Sequence, residues 1–151
     1  MKRLLAVVAL LASCSSGPPA PARLDTRNDA CAWCRMAVSD ARFAAQMVAP
    51  SEEPRFFDDI GCLAHYAAAT KPLPRGAVLY VADHRTKAWI RADAAVFTAV
   101  ASLATPMDSH LIAHADAASR DADPGAKGGT PRTAAELFGA APPKGRDEDR
   151  K

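Results

Sequence analysis

Aromatic residues, cysteine and net charge are all in short supply in this 151-residue chain. Aromatics make up 6%, and lysine and arginine form neither a basic patch nor a run interleaved with them, which excludes the usual signature of a nucleic-acid surface. The formal charge is only +2. A single Cys-x-x-Cys pair is present, where a zinc clip commonly carries two. The N-terminal apolar run, residues 4–11, is far shorter than the about 20 residues a membrane-spanning helix needs.

What the N-terminus does carry is a secretory pattern. Lys2 and Arg3 precede the apolar run, and Leu11-Ala12-Ser13-Cys14 places small residues before a cysteine, as a lipobox does. The expected processing removes residues 1–13 as a lipoprotein signal peptide and acylates Cys14. The product is a bacterial cell-envelope protein, held to the membrane by lipid and facing the periplasm. Ser15, standing where aspartate would favour inner-membrane retention, leans this expectation towards the outer membrane. Residues 14–28 then read as a flexible tether, because SSGPPAPAR cannot build a core. Residues 140–151, proline followed by mixed charge, read as a disordered tail. Processing takes 19 basic residues to 17, against 17 acidic ones, so the mature chain is near neutral. It leaves Cys31, Cys34 and Cys62, an odd count that makes a poor disulfide framework.

The folded part is expected over residues 29–139, in units of about 31–84 and 88–139. Residues 42–48 (RFAAQMV) predict a strand with Phe43, Ala45 and Met47 on one face, and residues 55–57 a second short strand. Asp58-Asp59 supplies a helix cap, with helix over residues 60–70. Residues 77–82 (AVLYVA) form the best strand signal. The first half therefore reads strand, strand, helix, strand. The second half predicts short strands at Trp89-Ile90 and residues 110–114, a short helix at 116–121, a glycine-rich turn over 124–131, and a closing segment at 133–138; residues 94–103 fit either helix or strand. The class is α+β with a mostly antiparallel sheet, and no internal repeat is visible in the residues.

Four readings are open for the run DACAWCRMAVSD. A zinc clip lacks its second pair, although His110 and His114 could complete one. A thioredoxin-like redox pair would sit at a helix start after a strand, and this pair instead follows a tether. A Cys31–Cys34 disulfide suits an oxidising compartment but closes too small a loop to stabilise much. A soft-metal site is the fourth reading: thiolate and thioether select copper(I), and Met36 and the turn residue Met107 are thioether candidates. Cys62, in the first turn of the predicted helix, would be eased towards ionisation there, or would pack as a small apolar side chain.

These pieces, in order, resemble the NosL family of copper-binding lipoproteins. The matching residues are the lipobox at Cys14, Cys31-x-x-Cys34-x-Met36, Phe43-Ala44-Ala45-Gln46, Phe57-Asp58-Asp59-Ile60-Gly61-Cys62, Tyr80-Val81-Ala82-Asp83, Trp89-Ile90, Pro106-Met107 and Gly128-Gly129. The resemblance implies two similar ββαβ units related to the organomercury lyase fold. It also implies a copper(I) chaperone, not an enzyme. Such a chaperone would serve assembly of the copper–sulfide centre of nitrous oxide reductase, or another periplasmic copper enzyme, alongside periplasmic and ABC-transporter assembly proteins. The ligands would be drawn from Cys31, Cys34, Met36 and Met107, with Cys62 or His110 in addition. The chain departs from the family pattern at Arg35, where the family usually has glycine, in the loop Thr105-Pro106-Met107-Asp108, which is usually Gly-Pro-Met-Gly, and at Cys62, commonly methionine or another apolar residue there. A thiol-based enzyme, either a thiol-disulfide or an organomercury lyase-like one, and a structural lipoprotein with a Cys31–Cys34 disulfide are the alternatives.

Overall fold

A computed structural model describes residues 17–139; Cys14, the signal peptide and residues 140–151 lie outside them. Among the described residues no helix is long and apolar enough to cross a membrane. The elements in chain order are β1 (Ala45–Val48), β2 (Arg55–Phe57), α1 (Ile60–Ala69), β3 (Val78–Ala82), β4 (Trp89–Arg91), β5 (Val96–Ala99), β6 (Leu111–His114), α2 (Ala117–Asp121), a 3-10 turn (Pro124–Ala126), β7 (Thr130–Arg132) and α3 (Ala134–Phe138). They form two antiparallel sheets, ordered β2-β1-β3-β4 and β6-β5-β7, so the chain is α+β as expected.

The two sheets share one plan. In each, the first strand of a unit lies between the second and third, and a helix capped by aspartate follows the second strand. The segment entering each unit is also built alike. Cys31 N–H donates to the Met36 carbonyl at 2.7 Å, and Asp83 N–H donates to the Ala88 carbonyl at 2.8 Å. Ala32 N–H donates to the Phe56 carbonyl, and His84 N–H to the Ala113 carbonyl. Arg35 and Lys87 occupy the left-handed region at the matching place, with φ 69° and 62°. The repeat is one of backbone geometry, and the side chains on it differ almost throughout. That is why it does not register in the residues.

Local chemistry accounts for most elements. Asp59, with extended φ and ψ, caps α1 by accepting from Gly61 N–H. Residues 96–99 settle as strand because Val96, Phe97 and Thr98 are β-branched or aromatic and find a partner in β6. β1 begins at Ala45 and is buried on both faces, so Ala45 and Met47 join the main core while Phe43 packs apart with Val100 and Ile112. β7 was expected only as turn. Pro131 lacks an N–H, which an edge strand tolerates, and Gly129 beside it admits no side chain because a Cβ would collide with Thr98 and Val100.

Both faces of β1 are covered because the segment expected as part of a tether lies on the sheet from Pro19 onward. The fully buried Gln46 amide accepts from Ala22 N–H at 2.7 Å and donates to the Ala22 carbonyl at 3.2 Å; Tyr80 Oη donates to the Pro19 carbonyl at 2.6 Å. A buried amide needs backbone partners, and these residues supply them. Helix α1 packs on β1 and β2 and reaches across to β6 and α3, so one core spans both units.

Candidate metal centre

The turn at residues 31–36 is docked on β2 through Ala32, and β2 runs directly into Asp58, the cap Asp59 and the first turn of α1. This path brings Cys62 back over the turn. The donor atoms of Cys31, Cys34, Asp58 and Cys62 all lie within 4.8 Å of one another. Cys34 Sγ is 3.4 Å from both Asp58 carboxylate oxygens, and Cys34 N–H points at Cys31 Sγ at 3.5 Å. All three cysteines are free thiols. Cys31, Asp58 and Cys62 are buried, at 0%, 3% and 2% exposure, so the partly exposed Cys34 is the open edge of the cluster.

Burial pushes the Cys34 thiol up to about 11, with the Cys31 and Asp58 side chains adding to it. Burial, with Cys31 and Asp58 close by, also pushes the Cys62 thiol up. The helix start does not ease Cys62 towards ionisation: partial charges there are worth at most about 2 kcal/mol, and lost hydration beside a carboxylate outweighs them. A metal arriving at neutral pH meets thiols and must displace their protons. If two are lost, apparent affinity rises about 100-fold per pH unit between pH 6 and 8, a slope that competition titrations at fixed pH read directly. A slope near zero would show that no thiol is a ligand. The metal-free fold behaves the other way. The raised Cys34 value stabilises it below the ordinary thiol value of 9.0, and that contribution is lost as pH climbs towards about 11.

The thioether candidates sit at the surface: Met36 is 55% and Met107 44% exposed. Met107 is held to the same end of the molecule by Asp59. Asp59 Oδ2 accepts from the Met107 N–H at 3.0 Å and from the Thr105 hydroxyl at 2.7 Å, while Oδ1 accepts from Gly61 N–H at 2.7 Å. One buried carboxylate thus ties a loop 48 residues downstream to the helix that carries Cys62. His110 Nδ1 lies 2.7 Å from the Leu103 carbonyl, so Nδ1 carries the proton and Nε2 is the basic nitrogen. His114 does not complete a pair with His110; it is fully buried and bonded to Asp123.

Two of the three positions that replace a family glycine adopt left-handed backbone, Arg35 at φ 69° and Asp108 at φ 53°, and Thr105 does not. The chain keeps the turn and carries the strain of a Cβ, about 1–2 kcal/mol per residue. Glycine would release that strain but loosen the unfolded chain by about 0.4–1 kcal/mol. Arg35→Gly is therefore expected to stabilise by about 0.5–1 kcal/mol in urea unfolding, and a destabilised variant would count against the strain.

The structure brings together Cys31, Cys34 and Cys62 of the candidate ligands and adds Asp58, which the sequence placed only in a helix cap. The available signal was the doubled aspartate: a helix cap needs only one. A family model described as NosL matches residues 21–138. No curated protein and no solved structure matches the chain.

Proposed function

The chain belongs to the NosL family of copper-binding accessory proteins, and from that premise we propose that it is a copper(I) carrier holding its ion between Cys31, Cys34 and Cys62. The convergence of three thiols, open to solvent only through Cys34, carries this reading. Thiolates select copper(I) over hard cations. A cluster with a single open edge lets an incoming ligand reach the ion before the last protein sulfur leaves. Met107 and Met36, exposed at the surface, suit the first contact with an arriving or departing ion, and the Met107 backbone is held to the helix cap Asp59.

The carrier is lipid-anchored through Cys14 on the periplasmic side of the envelope. Pro19 is already bonded to the sheet, so the five Cα–Cα steps from the acylated cysteine to Pro19 span at most about 18 Å. The copper site then works close to the membrane surface. Its client is nitrous oxide reductase or another periplasmic copper enzyme, reached with periplasmic and ABC-transporter assembly proteins.

The deciding experiment is an anaerobic copper(I) titration of the reduced chain against a chromogenic chelator. Tight binding of one ion per chain is expected; failure to outcompete even a weak chelator would remove the physical basis of the reading. A second reading, zinc held by three thiolates and a carboxylate, is favoured by one observation, the Asp58 oxygens at the cluster. Asp58→Asn separates the two. It should abolish zinc binding at the cysteine cluster and leave copper(I), which has no use for the carboxylate.

A further inference from the structure

We infer that His84, His114 and Asp123 form a second cation site, built for a divalent ion of borderline hardness such as zinc(II). None of the cysteine-cluster residues belongs to it, and it does not depend on the copper reading. His84 Nδ1 lies 2.6 Å and His114 Nε2 2.9 Å from the same oxygen, Asp123 Oδ2. The two rings stand 73° apart with centroids 6.2 Å from one another, so their nitrogens converge from different directions. The other carboxylate oxygen accepts from Gly125 N–H at 2.8 Å, which fixes its orientation as an outer-shell partner would. All three residues are more than nine-tenths buried. An ion about 2.0–2.2 Å from each donor would take the place of the two shared hydrogens, after the donors spread by about half an ångström.

The internal repeat shows that the fold does not need these side chains. The places of His84, His114 and Asp123 in the second unit are those of Ala32, Phe57 and Tyr66 in the first. There Phe57 and Tyr66 simply pack, ring against ring, at 5.2 Å. Across the same pair of positions the second unit carries an imidazole and a carboxylate. The exchange runs both ways: the places of Cys31, Cys34 and Cys62 are taken by Asp83, Thr86 and Ser119. The Asp83 carboxylate is consumed by Arg85, Thr86 and Ala115 N–H groups and the Ser119 hydroxyl. Each unit thus holds one cluster, soft in the first and nitrogen–oxygen in the second.

Charge also favours a cation. The Asp123 carboxylate meets both ring nitrogens and accepts from Gly125 N–H, the partner set of an anion. The Arg42 guanidinium, which feels the Asp123 charge, is engaged with Asp40 at 2.7 Å. Among the described residues, the outer nitrogens His84 Nε2 and His114 Nδ1 are buried with no hydrogen-bond partner. On binding, each ring moves its proton to that outer nitrogen and offers the inner lone pair to the ion, so no proton need be released. Imidazole and carboxylate without sulfur suit zinc(II) and exclude any preference for copper(I).

The test follows the ring nitrogens of the full reduced chain, nitrogen-15 labelled, by NMR during a zinc(II) titration. The four histidines are His65, His84, His110 and His114. Zinc is expected to move the N–H of His84 from Nδ1 to Nε2 and that of His114 from Nε2 to Nδ1, saturating with one ion at this site. Zinc taken by the thiols leaves these signals where they are, so the outcome is independent of the copper titration. Asp123→Asn should abolish the change and His110→Gln should leave it. Unshifted His84 and His114 rings at excess zinc, or a response confined to His65 or His110, would overturn the site. Should Asp123→Asn fail to fold, the wild-type spectrum alone decides.

Discussion

Cys34→Ser lowers copper(I) affinity by at least about 100-fold, and Cys62→Ser does the same. Loss of an outer-shell partner alone costs about 10–100-fold at metal sites, and losing a ligand costs more. A serine hydroxyl is hard where a thiolate is soft, and it does not ionise when its proton must be displaced. Cys34 is the cleaner variant because it is partly exposed and its thiol donates to Asp58, which can accept from a hydroxyl in the same way. Cys62 is buried, so its variant is read only after circular dichroism shows the native fold. The chelator competition described above measures both. Unchanged affinity in the two variants would mean that the sulfurs meet without serving as ligands. Loss confined to Met107→Leu would place the ion at the loop instead.

Asp59→Ala costs about 3–4 kcal/mol of stability and lowers Tm by about 10–25 °C. Asp59 is fully buried and accepts three hydrogen bonds, from Gly61 N–H, the Thr105 hydroxyl and Met107 N–H. Loss of a helix cap is worth about 1 kcal/mol, and hydrogen bonds to a charged group about 1.5–3 each. Their sum overstates the loss, because water reaches the freed loop. A domain of this size, between the small and the medium class, shifts by about 3–6 °C per kcal/mol. Asp59→Asn should be milder, since one amide oxygen can still accept. Thermal unfolding followed by circular dichroism checks this, and a fall of less than about 5 °C in Asp59→Ala would show that Asp59 is not what anchors the Met107 loop. Copper(I) affinity of the folded variant then reports whether that loop contributes a ligand.

Much of this molecule is written in contacts between near neighbours, and those the sequence determined. The turn at Cys31 and Cys34, the cap at Asp59 followed by an alanine-rich helix, and the β-branched strands at 78–82 and 96–99 all depend on residues a few positions apart. The class of fold and the first two thiols follow from them. Tertiary structure decided what meets what. Cys34 reaches Asp58 across 24 residues, Met107 reaches Asp59 across 48, and His84 reaches Asp123 across 39. Such pairs arise only when strands align in register, and no local propensity encodes which strand a segment will find. The same reason hid the repeat and misplaced β7. A backbone plan can recur while its side chains change from sulfur to oxygen and from aromatic to imidazole, and an edge strand built around Pro131 becomes a strand only because β5 offers it a partner.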